Sequence, residues 1–218
     1  FKVSQDEQGT RLTWLRVTGG ELKVKAQLSG ETDGEPWAEK ANQLRLYSGA
    51  EVFAAPSNIR TLIEQHELIT LGGSRYLLVE FDFGLPGSVL LRTLEAIAQR
   101  GLVPVVAHPE RYDAVQRDPG LAAWCFSRGM LLQLNKGSLL GLLGSRAEDT
   151  ALHLLSHGLA HLIASDAHDD RFRTTGFRSL LPVLEPICHP DYIALLLHGN
   201  PRRILRDEPI PIPPLQSD

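Results

Sequence analysis

Apolar residues along this chain gather into short runs, and each run ends at a polar residue. Residues 44–47, 76–81, 102–107, 130–134 and 162–164 have the length and content of buried strands. Helical spacing fills the gaps. Ser57 is placed to cap a helix reaching about Gln65. Residues 88–100 put Leu91, Leu94, Ile97 and Ala98 on one face, and Gly101 closes that helix. Asp118 precedes Pro119 at the start of another helix that Gly129 ends. Ser145 opens one running to Gly158. Further helical stretches are predicted near 177–184 and 191–198, with a last turn at 201–205. Strands alternating with helices predict a parallel α/β sheet.

The two ends follow neither period. Residues 1–42 form an atypical segment, with β-like alternation at 10–17 and 21–28 and breakers at Gly19-Gly20 and 30–36. A hairpin or a loose arm is expected there. Residues 43–206 carry the regular pattern. The tail, 207–218, holds four prolines and is expected to be extended.

The polar residues that close the strands are Glu51, Glu80, His108, Asn135 and Asp166, spaced 27 to 31 residues apart. One strand plus its crossover helix takes about 30 residues. A chemically capable side chain therefore recurs once per βα unit, always at the carboxyl end. That is the layout of a (β/α) barrel with its site on the top face. An open doubly wound sheet would concentrate the site at one switch point instead.

Brought to one face, Glu51, Glu80, His108, Asp166 and His168 make three carboxylates and two imidazoles, a donor set for first-row metals. Such a site clamps a phosphate and lowers the pKa of a water. Arg111 and Arg173 stand nearby in sequence, and guanidinium forks suit phosphate oxygens. Metals with arginines point to phosphoester hydrolysis. Singly, each residue has a bland reading. Glu51 could face a helix dipole, and Glu80 could be a solvated edge charge. His108 could be a loop histidine, and Asp166 a helix cap. Arg111 and Arg173 could pair on the surface with Glu110 and Asp169. Five in step with the strand period outweigh five separate coincidences. His153 and His157 read as one solvated helix face, and His161 as the start of a strand.

Composition narrows the class. The chain is 43% hydrophobic and 22% charged, as an ordinary globular protein is. A net charge of -4 argues against nucleic acid or an anionic membrane as partner. Two cysteines without a pairing framework favour a reducing, cytoplasmic setting. No apolar stretch approaches a membrane span, and no signal peptide is legible. The motifs of cysteine phosphatases, phosphate-loop nucleotidases and serine hydrolases are missing from the sequence.

Six segments together carry a family likeness: 48–52 (Ser-Gly-Ala-Glu-Val), 77–80 (Leu-Leu-Val-Glu), 104–112 (Pro-Val-Val-Ala-His-Pro-Glu-Arg-Tyr), 132–138 (Leu-Gln-Leu-Asn-Lys-Gly-Ser), 164–168 (Ala-Ser-Asp-Ala-His) and 200–205 (Asn-Pro-Arg-Arg-Ile-Leu). They resemble the manganese-dependent bacterial tyrosine phosphatases of capsule and exopolysaccharide synthesis, within the polymerase-and-histidinol-phosphatase (PHP) superfamily. The resemblance implies a distorted (β/α)7 PHP-type barrel holding up to three Mn2+ ions, with iron or zinc also suited to the ligands. It implies Glu51, Glu80, His108, Asp166 and His168 as metal ligands, and Arg111 and Arg173 as phosphate binders. It implies a phosphotyrosine protein as substrate, a bacterial tyrosine kinase of polysaccharide export. After Arg173 the family pattern runs on as Pro-Pro, whereas here Thr174-Thr175 follow and Arg171 competes for the role.

The family's opening His-x-His, and a further histidine after its next helix, have no counterpart here. Phe1 in place of an initiator methionine fits a barrel incomplete at the N-terminus. Three functions are thus expected in descending order: a tyrosine-protein phosphatase, a truncated homologue that binds phosphotyrosine or metal without turnover, and a small-molecule phosphatase such as one for histidinol phosphate.

Overall fold

The computed structural model describes residues 2–5, 11–14, 27–32, 35–40, 52–54, 69–167 and 175–211. The chain divides into two compact units, Phe1–Tyr47 and Ser48–Asp218.

In the first unit β1 (Lys2–Gln5) pairs antiparallel with β2 (Arg11–Trp14), and β3 (Gln27–Thr32) with β4 (Glu35–Lys40). The expected hairpin is present twice. The reading of 30–36 as a breaker is corrected: Gly30 pairs with Trp37, Glu31 with Pro36 and Thr32 with Glu35. Only Asp33-Gly34 separates the paired ends, and Asp-Gly is a strong two-residue hairpin signal.

The second unit is a mixed α/β structure built on a five-stranded parallel sheet in the order β5 (Val52–Phe53), β6 (Tyr76–Glu80), β7 (Val103–Ala107), β8 (Leu131–Asn135), β9 (Leu162–Ala164). Strand order equals chain order, as successive βα units dictate. The strand expected at 44–47 and the helix opened by Ser57 lie outside the described residues. Helix α1 (Gly87–Ala98) follows β6, and Gly101 at φ 81 closes it as expected. A short α2 (Asp113–Arg117) precedes α3 (Gly120–Ser127). Pro119 holds the cap position of α3 and Gly120 is its first residue; Asp118, one residue further back, accepts the Gly120 N–H at 3.0 Å. The sequence did not suggest α2 or α4 (Lys136–Leu139), each about one turn long. Ser145 is the first residue of α5 (Ser145–Ser156) rather than its cap; Gly144 holds that place at φ 97, where a Cβ would be strained. The C-terminal helical stretches resolve into α6 (Leu181–Leu184), α7 (Pro190–Ala194), a wider turn at Leu195–Gly199, and α8 (Asn200–Leu205).

Strand alternation sorts the side chains into two cores. Leu77, Val79, Val106, Leu132, Leu134 and Ile163 face the helices, against Leu90, Leu94, Ala151 and Leu154. Tyr76, Val105, Leu131 and Leu162 form a smaller cluster on the other face, joined by Ile204 of α8. The chain after α8 docks at the starting end of β6. Asp207 accepts from the Arg75 backbone N–H at 2.8 Å and its Nε at 2.9 Å, and the Tyr76 hydroxyl donates to the Glu208 carbonyl at 2.7 Å. The Pro-rich tail therefore begins tied down rather than free. Asn200 donates to the His161 carbonyl at 2.8 Å, which gives the Asn-Pro-Arg-Arg segment a structural role at the start of β9. Among the described residues no helix is long and apolar enough to cross a membrane.

Candidate functional site

Opposite that tied end, at the carboxyl ends of the strands, stand four of the sequence-predicted side chains, Glu80, His108, Arg111 and Asp166. Glu80 is the last residue of β6 and His108 the first after β7. Parallel pairing sets these ends side by side, and Glu80 Oε1 lies 3.2 Å from His108 Nε2. Tyr76, Leu78 and Glu80 share one face by alternation, so Glu80 sits on the side of the smaller core.

His108 and Asp166 both hold the left-handed backbone region, at φ 32 and φ 44. For residues with a Cβ this costs about 1–2 kcal/mol each. Such strain persists where surrounding contacts overdetermine it, and it aims the side chain at the turn. Asp166 is held by Asn135, whose side-chain N–H donates to Oδ2 at 2.8 Å. Arg111 approaches the same oxygen at 4.0 Å, and both side chains remain partly exposed.

Glu110 anchors the turn between them. It is fully buried. Its Oε1 accepts from the Asn135 backbone N–H at 3.0 Å and the Ser138 hydroxyl at 2.7 Å, and Oε2 has no hydrogen-bond partner among the described residues. Burial pushes this carboxyl above the usual range, against those two hydrogen bonds. The bland alternative, a surface pair between Glu110 and Arg111, is not formed: the carboxylate turns inward to the end of β8, and the guanidinium turns toward Asp166.

Asn135 closes the frame. Its Oδ1 accepts the Gly137 N–H at 2.7 Å, capping α4, while its amide N–H reaches Asp166. The neighbouring Lys136 is buried, and its ammonium donates to the Gly176 carbonyl at 2.9 Å.

Glu80 and His108 are therefore brought together, as are Arg111 and Asp166. Glu51, His168 and Arg173 lie outside the described residues. Among the described residues no group of three or more His, Cys, Asp or Glu closes on one metal position. Sequence reasoning missed the anchoring roles of Glu110 and Lys136, and noticed Asn135 only as a strand end. Nothing in the sequence distinguishes Glu110 from a surface charge. His161 keeps a structural role. Its Nδ1 accepts the Leu132 N–H at 3.1 Å, and burial pushes its pKa down to about 4.

Comparison with known proteins meets this geometry. The tyrosine-protein phosphatase YwqE of Bacillus subtilis is 29% identical over 148 residues, 68% of this chain and 58% of its own length. The putative tyrosine-protein phosphatase CapC of Staphylococcus aureus is 34% identical over 57% of this chain and 49% of its own. The tyrosine-protein phosphatase CpsB of Streptococcus pneumoniae is 28% identical over 78% of this chain and 72% of its own. The chain thus spans about half to three-fifths of the first two relatives. A solved chain from the work on YwqE of B. subtilis and CpsB of S. pneumoniae, described as metal-dependent tyrosine phosphatases, superposes with a TM-score of 0.67 at 27% identity, covering 78% of this chain and 68% of that one. Residues 25–206 match the family of capsular polysaccharide synthesis, CpsB/CapC, and the chain belongs to that family.

Proposed function

We propose that this chain is a metal-dependent phosphotyrosine-protein phosphatase acting in capsular or exopolysaccharide synthesis, with a bacterial tyrosine kinase as its substrate, in the cytoplasm. The observation that carries this reading is the Glu80–His108 pair at the ends of adjacent parallel strands, with Arg111 on the turn that follows. Three named relatives support the choice of phosphotyrosine over a small-molecule ester. We further propose that residues 43–206 form a distorted (β/α)7 PHP-type barrel. The small strand-only face is its inside, Ile204 closes one end, and the candidate site opens at the other.

The donor set fits a first-row metal. A carboxylate and an imidazole 3.2 Å apart share the O/N character that suits manganese, iron or zinc, and manganese is the proposed ion. Glu80 and His108 would hold one ion between them, and Asp166, Glu51 and His168 are proposed as the ligands that complete a site of up to three ions. When bound, the metal polarises the phosphate and lowers the pKa of the attacking water. This chain's own residues do the rest. Arg111 offers two N–H donors to the equatorial phosphate oxygens, and Arg173 is assigned the same task. Asn135 fixes the orientation of Asp166. Glu110 fixes the turn that carries His108 and Arg111, so that ligand and phosphate binder move as one.

The test is phosphate release from a phosphotyrosine peptide by the 218-residue chain, with and without manganese. Release should depend on manganese and fall at least 100-fold in His108→Ala, since outer partners alone typically account for 10–100-fold. A folded chain that binds the peptide and releases no phosphate sinks the reading and favours the non-catalytic binder.

A further inference from the structure

Large apolar side chains are exposed at four described positions: Ile69, Phe83, Leu142 and Leu205. Only Phe83 touches the candidate site. It follows β6 by three residues and keeps 39% of its surface accessible. Its ring stands 5.7 Å from the His108 ring, edge to face, and 6.1 Å from that of Tyr112. The Arg111 guanidinium lies over it at 4.4 Å from the centroid. The backbone beneath is pinned. The Phe83 carbonyl accepts the Asp113 N–H at 2.9 Å, and the Asp82 side chain accepts the Gly84 N–H at 2.9 Å in a tight local turn.

One aromatic ring thus borders a proposed metal ligand and a proposed phosphate binder at once, while remaining open to solvent. A ring held this way is preorganised, so little rotamer freedom is lost when a second ring packs against it. A phosphate seated at Arg111 would carry its ester substituent beside this ring. An aryl substituent would pack on it in an offset or edge geometry; an alkyl one would gain far less.

We propose that Phe83 is a specificity-determining residue that receives the aromatic ring of an aryl phosphate ester. The proposal rests on the phosphatase reading above and deepens it. The competing role is that Phe83 only braces Arg111, in which case every phosphate ligand would suffer alike when the ring is removed.

Binding of phenylphosphonate and of methylphosphonate to the manganese-loaded 218-residue chain, measured by calorimetry, separates the two without turnover. Phe83→Ala should weaken phenylphosphonate by about 3- to 10-fold, the range of a single aromatic pair, and leave methylphosphonate within about twofold of the wild type. Phe83→Leu should behave as Phe83→Ala, and Phe83→Tyr should restore the preference. Equal weakening of both ligands, or no weakening of either, overturns the proposal while hydrolysis by the wild type stands. A wild-type chain that binds neither ligand overturns this proposal together with the site on which it rests.

Discussion

Glu110 buries a carboxyl group that a surface pairing with Arg111 would have left in water. What it gains is control of two loops. One carboxylate oxygen takes both the Asn135 N–H and the Ser138 hydroxyl, which ties the turn after β7 to the end of β8. Glu110→Ala removes the acceptor from two buried donors, each costing about 1–3 kcal/mol when left unsatisfied. The expected loss, read by urea denaturation, is about 2–5 kcal/mol. Glu110→Gln keeps an acceptor oxygen and should recover most of it. Loss in neither variant would show that the buried carboxyl anchors nothing. This role was not legible in the sequence, because it depends on His108 entering the left-handed region and swinging Glu110 inward. By contrast, the places of His108, Glu80 and Asp166 at the strand ends were legible, though only together, through their recurrence with the strand period. Each closes an apolar run, and an apolar run in a parallel sheet leads to the functional face whatever lies between.

At the level of elements, β8 and β9 are joined by more than ladder hydrogen bonds. The His161 backbone N–H donates to the Leu132 carbonyl at 2.9 Å, while its Nδ1 accepts the Leu132 N–H. The imidazole must stay neutral at Nδ1 to accept. Burial holds its pKa near 4, below the ordinary 6.5. A folded pKa lowered in this way gives stability that is fully present above about 6.5 and is lost as the pH falls toward 4, because only the unfolded chain takes the proton in that window. The wild type should lose up to about 3 kcal/mol between pH 7 and pH 4 from this group. His161→Leu, less stable at pH 7 through the stranded Leu132 N–H, should show a shallower fall. Parallel slopes for the two proteins would refute the assignment. The sequence placed His161 at the start of a strand without finding this bond. Its partner lies 29 positions away, and only sheet register brings the two together. The same limit explains the N-terminal hairpins. Their strands are short and polar enough that periodicity gave no clear answer, whereas Asp33-Gly34 carried a turn signal that a reading of glycines as breakers passed over.

Across the whole second unit, the repeat of about 30 residues was visible because each βα unit must bury a strand and a crossover helix of similar length. The consequence is that the proposed ligands come from distant points of the chain. Glu80, His108 and Asp166 stand at the ends of β6, β7 and β9, and no two are close in sequence. The unfolded chain cannot present them together, so metal binds the native state almost alone. Binding must then stabilise the fold by an amount set by mass action, about 2.7 kcal/mol when free metal is 100 times its dissociation constant. For a unit of this size that corresponds to a rise in Tm of about 5–10 °C. The rise should grow with the logarithm of manganese concentration, vanish on chelation, and shrink sharply in His108→Ala. Thermal unfolding monitored by circular dichroism measures it, and no catalysis is needed. If His108→Ala shifts as far as the wild type, the ion sits elsewhere and the ligand assignment at β7 fails. If manganese raises Tm in the wild type alone but phosphotyrosine is not hydrolysed, the strand-end donors bind metal while the chain lacks what turnover requires. Those two results separate a misplaced centre from an incomplete one.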